Sequence, residues 1–275
     1  MSSPRPNPDS ATSSDAIPVD LLLLAYRNGI FPMADSREDR EVFWVEPRER
    51  AIIPIGGFRC SRSLSRTIRQ GRFAVSLDTD FEGVVRACAA PRAGHPESWI
   101  SERIVASYLQ LFRAGYAHSI ECRLDGELVG GVYGVAFDRV FCGESMFSRR
   151  RDASKVALGW LLALLERAGC KLFDCQFMTP HLASLGAVEI PQKRYLELLD
   201  AARGDQPMSL AEAYASVVGE GEGDGVGEGE ADGAGEGRFV GASLRPPESA
   251  PSDPPAADPD ASPGYRIAQS LTHTS

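Results

Sequence analysis

The feature that most constrains the fold is a pair of apolar, strand-like runs, residues 140–148 and 171–176, each of which contains one carboxylate, Glu144 and Asp174. Between the runs, residues 153–168 have a helical pattern that is almost entirely apolar at its centre. The order strand, buried helix, strand predicts a βαβ unit. A buried charge is costly unless it is paired or used, so each acid is either a structural residue or a functional group. The two runs alone do not separate these readings.

The chain before this unit predicts an α/β fold with a mixed sheet. Residues 118–124 and 127–137 alternate around Asp125-Gly126, which is a strong hairpin signal. Residues 101–114, closed by Gly115, form an amphipathic helical pattern. The run from Arg50 to Ile55 is strand-like, and Pro54 within it predicts an edge position.

Hairpin, strand, buried helix and strand in this order resemble the acetyltransferase superfamily that uses acyl-CoA. In that superfamily a Gly-rich turn at the start of the buried helix holds the pyrophosphate through backbone amides. The corresponding stretch here, residues 148–155, contains no Gly-x-Gly. The layout therefore predicts an acetyltransferase-like (GNAT-like) domain for acyl transfer, while the missing turn argues against CoA as the donor.

Composition sets the domain boundaries. Residues 1–15 and 205–275 are rich in Ser, Pro, Gly and acids, so we predict that both are disordered, the latter as a linker and an acidic Gly/Pro-rich tail. We predict a small N-terminal α/β domain at 16–58 and the acetyltransferase-like domain at 59–204. From residue 219 onward there are 11 acids and 3 arginines, so the tail accounts for −8 of the formal charge of −9. The low pI therefore does not argue against an anionic partner for the folded part.

Four arginines are spaced along a helix-like segment at i, i+3, i+7 and i+10: Arg59, Arg62, Arg66 and Arg69. On a helix they would line one face, which we call the arginine face. Such a face fits a phosphate backbone, although a solvated helix surface has the same pattern.

The remaining residue patterns predict a soluble protein in a reducing, cytoplasmic setting. The six cysteines include no Cys-x-x-Cys, and several lie in apolar runs, as reduced core thiols do. The spacing of Cys170, Cys175 and His181 fits no common zinc site. Neither a signal peptide nor an apolar run long enough to cross a membrane is evident.

Nine short motifs occur together and in order, and they cover roughly residues 17–202. They are Asn28-Gly-Ile-Phe-Pro32, Phe43-Trp44, Ser61-Arg-Ser-Leu64, Trp99-Ile100, Gly115-Tyr-Ala-His-Ser-Ile-Glu121, Leu128-Val-Gly-Gly-Val-Tyr-Gly134, Phe141-Cys-Gly-Glu-Ser-Met-Phe-Ser148, Asp174-Cys-Gln176 and Ala183-Ser-Leu-Gly-Ala187. The set resembles the bacterial leucyl/phenylalanyl-tRNA–protein transferases.

This resemblance implies a monomeric cytoplasmic enzyme that needs no metal or redox cofactor. Its partners would be tRNA charged with Leu, Phe or sometimes Met, and proteins with N-terminal Arg or Lys. Transfer would mark the acceptor for degradation. Two other classes stay open: a CoA-dependent acetyltransferase and a non-catalytic adaptor for basic N-termini.

The resemblance also implies roles for particular residues. Gln176 would contact the attacking amine, and Asp174 would draw off its positive charge. The alternative is that this pair only positions substrate and leaves proton transfer to the tRNA ribose. Glu144 would position the aminoacyl group. We expect Asp174 and Gln176 to share one face of their strand, and Glu144 and Met146 one face of theirs.

Two further groups of residues are expected to bind the substrates. The apolar side chains Val132, Phe141 and Met146 would line the aminoacyl pocket, and Trp44 and Trp99 would stack on the terminal adenosine. The arginine face, together with the arginines at 149–151, would hold the acceptor end of the tRNA.

Overall fold

The computed structural model of the chain describes residues 16–91, 98–219 and 262–272. Its strands are β1 (Phe31–Met33), β2 (Phe43–Val45), β3 (Glu49–Ile53), β4 (Ala74–Leu77), β5 (Ala117–Leu124), β6 (Glu127–Phe137), β7 (Val140–Ser148), β8 (Leu172–Gln176) and β9 (Val188–Pro191). Its helices are α1 (Val19–Arg27), α2 (Arg62–Arg69), α3 (Phe81–Ala89), α4 (Glu102–Arg113), α5 (Ala153–Arg167), α6 (Pro180–Ser184), α7 (Gln192–Ala201), α8 (Leu210–Gly219) and α9 (Pro263–Ser270).

A seven-stranded mixed sheet organises the chain, in the order β4-β5-β6-β7-β8-β3-β9. Neighbouring strands are antiparallel except β7 and β8, which are parallel and joined by α5. The turn between β5 and β6 is the predicted Asp125-Gly126, and both residues have positive φ, as a two-residue hairpin turn requires. The mixed α/β fold, its hairpin and its βαβ unit are therefore confirmed, and they stand in the acetyltransferase-like order.

Two hydrophobic clusters pack on the two faces of the sheet. One contains α5 together with side chains of α2, α8 and α9. The other contains side chains of α1, α3, α4 and α7. Because α5 has the sheet on one side and other helices on the other, its middle is buried all round, which explains its uniformly apolar sequence.

The structure corrects the predicted position of β3. This strand pairs with β8 on one side and with β9 on the other, so the prediction of an edge strand is wrong. Pro54 lies one residue beyond the strand, where its missing N–H costs no ladder hydrogen bond. β3 also belongs to the large sheet, so the N-terminal segment that stands apart from that sheet ends before Glu49 rather than at 58.

The structure also corrects the predicted start of the unstructured tail. Helices α8 and α9 lie within 205–275, and each buries apolar side chains against α5. The prediction is therefore wrong for these two segments, which contain enough apolar residues to offset their ordering. Residues 1–15 and 220–261, for which disorder was also predicted, lie outside the described residues.

In the described part of the chain, every helix is too short or too polar to cross a bilayer.

Candidate active site

A cleft of about 640 Å³ opens where β7 and β8 stop pairing. Their parallel ladder ends at Cys142 opposite Asp174, and the continuing ends of both strands line the cleft. Its walls include the following residues of β6, β7, β8, α5 and α6: Val132, Gly143, Glu144, Ser145, Met146, Phe147, Leu158, Phe173, Cys175, Gln176, His181 and Leu182. The two predicted carboxylate-bearing strands therefore meet at one cavity.

A β-bulge aims Glu144 towards the helices of one face. In the β6–β7 ladder Tyr133 pairs with Ser145 and Gly134 pairs with Gly143, so Glu144 has no partner across the ladder. The extra residue shifts the alternation of β7. As a result Met146 packs with the cluster around α5, whereas the Glu144 carboxylate contacts tyrosines of α1 and α4. The expectation that Glu144 and Met146 share one face is therefore wrong.

Three donors surround the buried carboxylate of Glu144. The hydroxyl of Tyr26 donates to Oε1 at 2.8 Å, and the Gln176 amide donates to the same oxygen at 3.0 Å. The hydroxyl of Tyr108 donates to Oε2 at 2.7 Å. Burial raises the pKa of Glu144 to about 7, and the nearby Asp174 charge adds to that rise. The three hydrogen bonds oppose it, so both protonation states are accessible near neutral pH.

Asp174 lies behind the cleft rather than in it. Its side chain is fully buried and is not part of the cleft wall. The guanidinium of Arg50 holds it through contacts of 2.6 Å from Nη2 and 2.9 Å from Nε. The Tyr195 hydroxyl donates to Oδ2 at 3.0 Å, and the Gln176 backbone N–H donates to Oδ1 at 2.7 Å. The Asp174 carboxylate is therefore held in a buried ion pair, and it accepts a hydrogen bond from Gln176, which lines the cleft.

Arg50 is a buried cation whose guanidinium contacts a carboxylate, a backbone carbonyl and two aromatic rings. Besides Asp174, it donates to the Gly29 carbonyl at 2.9 Å. Its guanidinium carbon lies 4.8 Å from the ring centroid of Phe31 and 4.3 Å from that of Tyr195. The Asp174 charge favours the cationic form and raises the pKa of Arg50 despite the opposing effect of burial.

Gln176 connects the two carboxylates. Its backbone has a φ of 63°, a left-handed conformation that is unfavourable for a side chain of this kind. The hydrogen bond from its N–H to Asp174 holds that conformation, and its side-chain amide then reaches Glu144. Asp174 thus holds the backbone of Gln176, and the side chain of Gln176 makes the contact with Glu144.

The remaining predicted substrate residues divide into two groups. Val132, Met146 and Trp99 line the cleft. Phe141 is completely buried and stacks against Phe173, and it is Phe173 that reaches the cleft wall. Trp44 lies on β2 with 42% of its surface exposed, outside the cleft wall.

Of the arginine face, Arg59 lies near the cleft, with the short helix α6 between them. α2 begins at Arg62, because Ser61 caps it by accepting a hydrogen bond from the Leu64 N–H. Arg62, Arg66 and Arg69 are exposed on α2, whereas Arg59 precedes the helix. Arg59 shares a hollow with Ser184 of α6, and other residues of α6 line the cleft. Within the described segments none of these four arginines forms an ion pair.

The start of α5 is already occupied by the protein's own groups. The Ala153 N–H donates to the Arg150 carbonyl, and the Ser154 N–H donates to the Ser148 hydroxyl. These are the first amides of the helix, the groups that would hold a pyrophosphate in a CoA-dependent acetyltransferase. The geometry therefore agrees with the missing glycine turn in disfavouring CoA.

Sequence reasoning missed Arg50, Tyr26, Tyr108 and Tyr195. Each tyrosine lies in a helix pattern as an ordinary core position, and Arg50 stands at the polar start of a strand. The signal that could have found them is that two buried carboxylates need hydrogen-bond donors. Tyrosine hydroxyls and an arginine are donors that largely apolar elements can supply.

Family models match nearly all of the chain from 15 to 200. The model of the leucyl/phenylalanyl-tRNA protein transferase N-terminal domain matches residues 15–48, and that of the leucyl/phenylalanyl-tRNA protein transferase matches residues 52–200.

Curated relatives carry the same name. A leucyl/phenylalanyl-tRNA–protein transferase of Novosphingobium aromaticivorans is 59% identical over 265 residues, which are 94% of this chain and 97% of that protein. One from Zymomonas mobilis is 57% identical over 182 residues, which are 66% of this chain and 68% of that protein.

Among solved structures, L-PGS from Bacillus licheniformis aligns with a TM-score of 0.34 and 13% identity, over 60% of this chain and 55% of that one. A GCN5-related N-acetyltransferase-like protein from Streptococcus suis aligns with a TM-score of 0.28 and 14% identity, over 62% and 65% of the two chains.

The conclusion rests on the two family models and on identity along almost the whole length of a relative. The chain belongs to the leucyl/phenylalanyl-tRNA–protein transferases and is an aminoacyltransferase that uses aminoacyl-tRNA and protein substrates.

Proposed function

We propose that the enzyme acts as a cytoplasmic monomer that transfers Leu, Phe or Met from tRNA to the N-terminal Arg or Lys of acceptor proteins. The observation that carries this proposal is the mixed character of the cleft. One part is apolar, with Val132, Met146, Phe173 and other side chains, and another part presents Glu144 and Gln176. An apolar side chain such as that of Leu, Met or Phe fits the apolar part, and a cationic amine is drawn to the carboxylate.

The donor tRNA would reach the cleft along the arginine face. Arg59, Arg62, Arg66 and Arg69 supply the phosphate contacts, and Arg149 lies in the cleft wall itself. Trp99, also in the wall, would stack on the terminal adenosine. Phosphate contacts of this kind position the acceptor end without reading its sequence. Trp44, which is exposed outside the wall, would contact the tRNA beyond its last nucleotide.

At the reacting centre Gln176 would contact the attacking amine, while Asp174 fixes Gln176 from behind. The donor ester is already activated, so the enzyme mainly has to position the amine and to handle one proton. An α-amino group has an ordinary pKa of about 8, so modest help suffices.

The test is incubation of the purified protein with radiolabelled Leu-tRNA and peptides that differ only in their first residue: Arg, Lys, Ala, or Arg with an acetylated amine. We expect label in the first two peptides and none in the others. Substituting Phe-, Met- and Ile-tRNA then measures the donor preference. Transfer that ignores the first residue would overturn the acceptor assignment, and peptide binding without transfer would indicate an adaptor. Light scattering on the same sample tests the monomer.

A further inference from the structure

Three buried oxygen-bearing side chains form a closed triangle at the end of the cleft. The hydroxyls of Tyr26 and Tyr108 lie 2.8 Å apart. The first is 2.8 Å from Glu144 Oε1, and the second is 2.7 Å from Glu144 Oε2. Tyr26 is 1% exposed, Tyr108 0% and Glu144 7%, and Glu144 also lines the cleft. We call these three residues the proton ring.

Counting hydrogens shows that the proton ring accommodates both protonation states of Glu144. With the carboxylate ionised, two phenolic hydrogens serve three short contacts: both can point to the carboxylate, which leaves the contact between the hydroxyls empty. One added hydrogen fills the third contact. Glu144 Oε2 then donates to Tyr108, Tyr108 donates to Tyr26, and Tyr26 donates to Oε1. Gaining or losing a proton therefore requires only that hydroxyls rotate.

Of the three members of the proton ring, the carboxyl group of Glu144 is the one that ionises near neutral pH. Burial raises the pKa of both Tyr26 and Tyr108 well above the ordinary value, so the phenols keep their hydrogens. Burial raises the pKa of Glu144 to about 7, and hydrogen bonds keep it from rising further. Besides the two phenols, the ionisable groups that face Glu144 are Cys142 of its own strand β7, Tyr133 of β6 and Asp174 of β8.

We propose that Glu144 is the catalytic base of the transfer reaction and that Tyr26 and Tyr108 are positioning residues that hold it ready in both protonation states. The inference rests on the proposed function, because it takes the cleft as the place where ester and amine meet. It assigns proton handling to Glu144, whereas the relay expected from the sequence assigned it to Asp174. Asp174 is fully buried outside the cleft wall and bound by Arg50.

The step balances without any added reagent. The neutral amine nitrogen attacks the ester carbonyl carbon and forms the C–N bond. The nitrogen then gives one proton to Glu144, whose Oε2 accepts a single hydrogen bond from the described residues. As the adduct collapses, the bond from carbon to the ribose oxygen breaks, and the oxygen keeps the electron pair. The ribose oxygen takes from Glu144 the proton that came from the amine, so the carboxylate is restored for the next cycle.

The experiment is a pH profile of transfer from Leu-tRNA to the Arg-initiated peptide for wild type, Tyr108→Phe, Tyr26→Phe and Glu144→Gln. Tyr133→Phe is the matched control. It removes a buried hydroxyl beside Tyr108, with ring centroids 5.5 Å apart, that has no hydrogen-bond partner among the described residues. The acceptor amine contributes the same pH dependence in every reaction, so the differences between variants report on Glu144. Thermal melting shows which variants are folded.

We expect Tyr26→Phe and Tyr108→Phe each to shift the rising limb of the pH profile to a pH about one unit higher. Each variant loses a hydrogen bond that favoured the charged carboxylate of Glu144. Tyr133→Phe should leave the limb in place. Glu144→Gln should lower kcat by about 10²–10⁴-fold at pH values above the rising limb, where Glu144 of the wild type is ionised, with the KM for Leu-tRNA little changed. A folded Glu144→Gln variant within tenfold of wild type would overturn the assignment, as would ring variants whose profiles match that of Tyr133→Phe. Both results can be distinguished from failure of the proposed function. If that function is wrong, the wild-type enzyme itself labels no Arg-initiated peptide.

Discussion

Replacing Arg50 with methionine removes one buried charge and leaves the buried carboxylate of Asp174 without its cationic partner. Met keeps much of the length and apolar volume of the side chain, so the loss is concentrated in the guanidinium. That group makes a 2.6 Å contact with Asp174, donates to the Gly29 carbonyl and lies against the rings of Phe31 and Tyr195. After the substitution Asp174, which is 0% exposed, keeps neutral donors such as the Tyr195 hydroxyl and the Gln176 N–H but has lost its cation.

The expected cost follows from the stranded carboxylate. Breaking a buried ion pair by removing one partner costs about 3–5 kcal/mol of unfolding free energy, most of it from the charge left behind. For a folded unit of this size that corresponds to a fall in Tm on the order of 10 °C. Removing both charges together should cost much less, because the double variant buries no unpaired ion.

Urea denaturation of Arg50→Met, Asp174→Asn and the double variant measures this coupling. The double variant should be at least as stable as either single variant, whereas independent sites would add their costs. Arg86→Met is the matched control. Arg86 pairs with Glu82 and Glu102 at the surface, where its guanidinium side chain is 49% exposed, so the loss should be about 0–1 kcal/mol. If Arg50→Met costs no more than the control, or if the single costs add in the double variant, the reasoning about a stranded charge is refuted.

Three further predictions concern the tRNA, the C-terminal helix and pH. Reversing Arg62 and Arg66 to Glu should weaken tRNA binding and flatten its salt dependence, measured by filter binding, whereas Arg113→Glu, at the exposed end of α4, should not. Ending the chain before α9 should lower the unfolding free energy by about 2–4 kcal/mol, because Ile267 and its neighbours leave the α2–α5 surface exposed; unchanged urea midpoints would contradict this. The folded-state pKa of Glu144, about 7, exceeds its ordinary value of 4.5, so its contribution to stability is present below pH 4.5 and is lost as pH rises through 7. Wild type should therefore lose about 3 kcal/mol relative to Glu144→Gln across this range, and parallel pH curves would contradict it.

Local patterns predicted the parts of the fold that depend on neighbouring residues. The Asp125-Gly126 turn has the backbone that its residues prefer, and α5 is as buried as its apolar sequence indicates. The βαβ unit follows because a parallel pair needs a crossover connection. The two carboxylates lie on the strands of this unit, and the parallel pairing of β7 and β8 brings Glu144 and Asp174 to the same end of the sheet.

Features that depend on partners distant in sequence were not predictable. The bulge at Glu144 exists only in the register between β6 and β7, which no local pattern of β7 contains. Arg50 and Asp174 are 124 residues apart, so the pairing emerged only when β3 was found beside β8. Helix α9 was missed because it is a short apolar segment inside an acidic and proline-rich composition, and its stability comes from packing on α2 rather than from its own propensity.

The partners of the two buried carboxylates determine what each can do. Asp174 faces an arginine, whose guanidinium forms a 2.6 Å ion pair with it. Glu144 faces two phenols and an amide, which stabilise the charge by hydrogen bonds but do not neutralise it. A group that must accept and return a proton in one cycle cannot have a fixed cation against it, because the cation would hold the charged form. The geometry therefore favours a division in which the ion-paired Asp174 orients Gln176, and the carboxyl group of Glu144 meets the substrate.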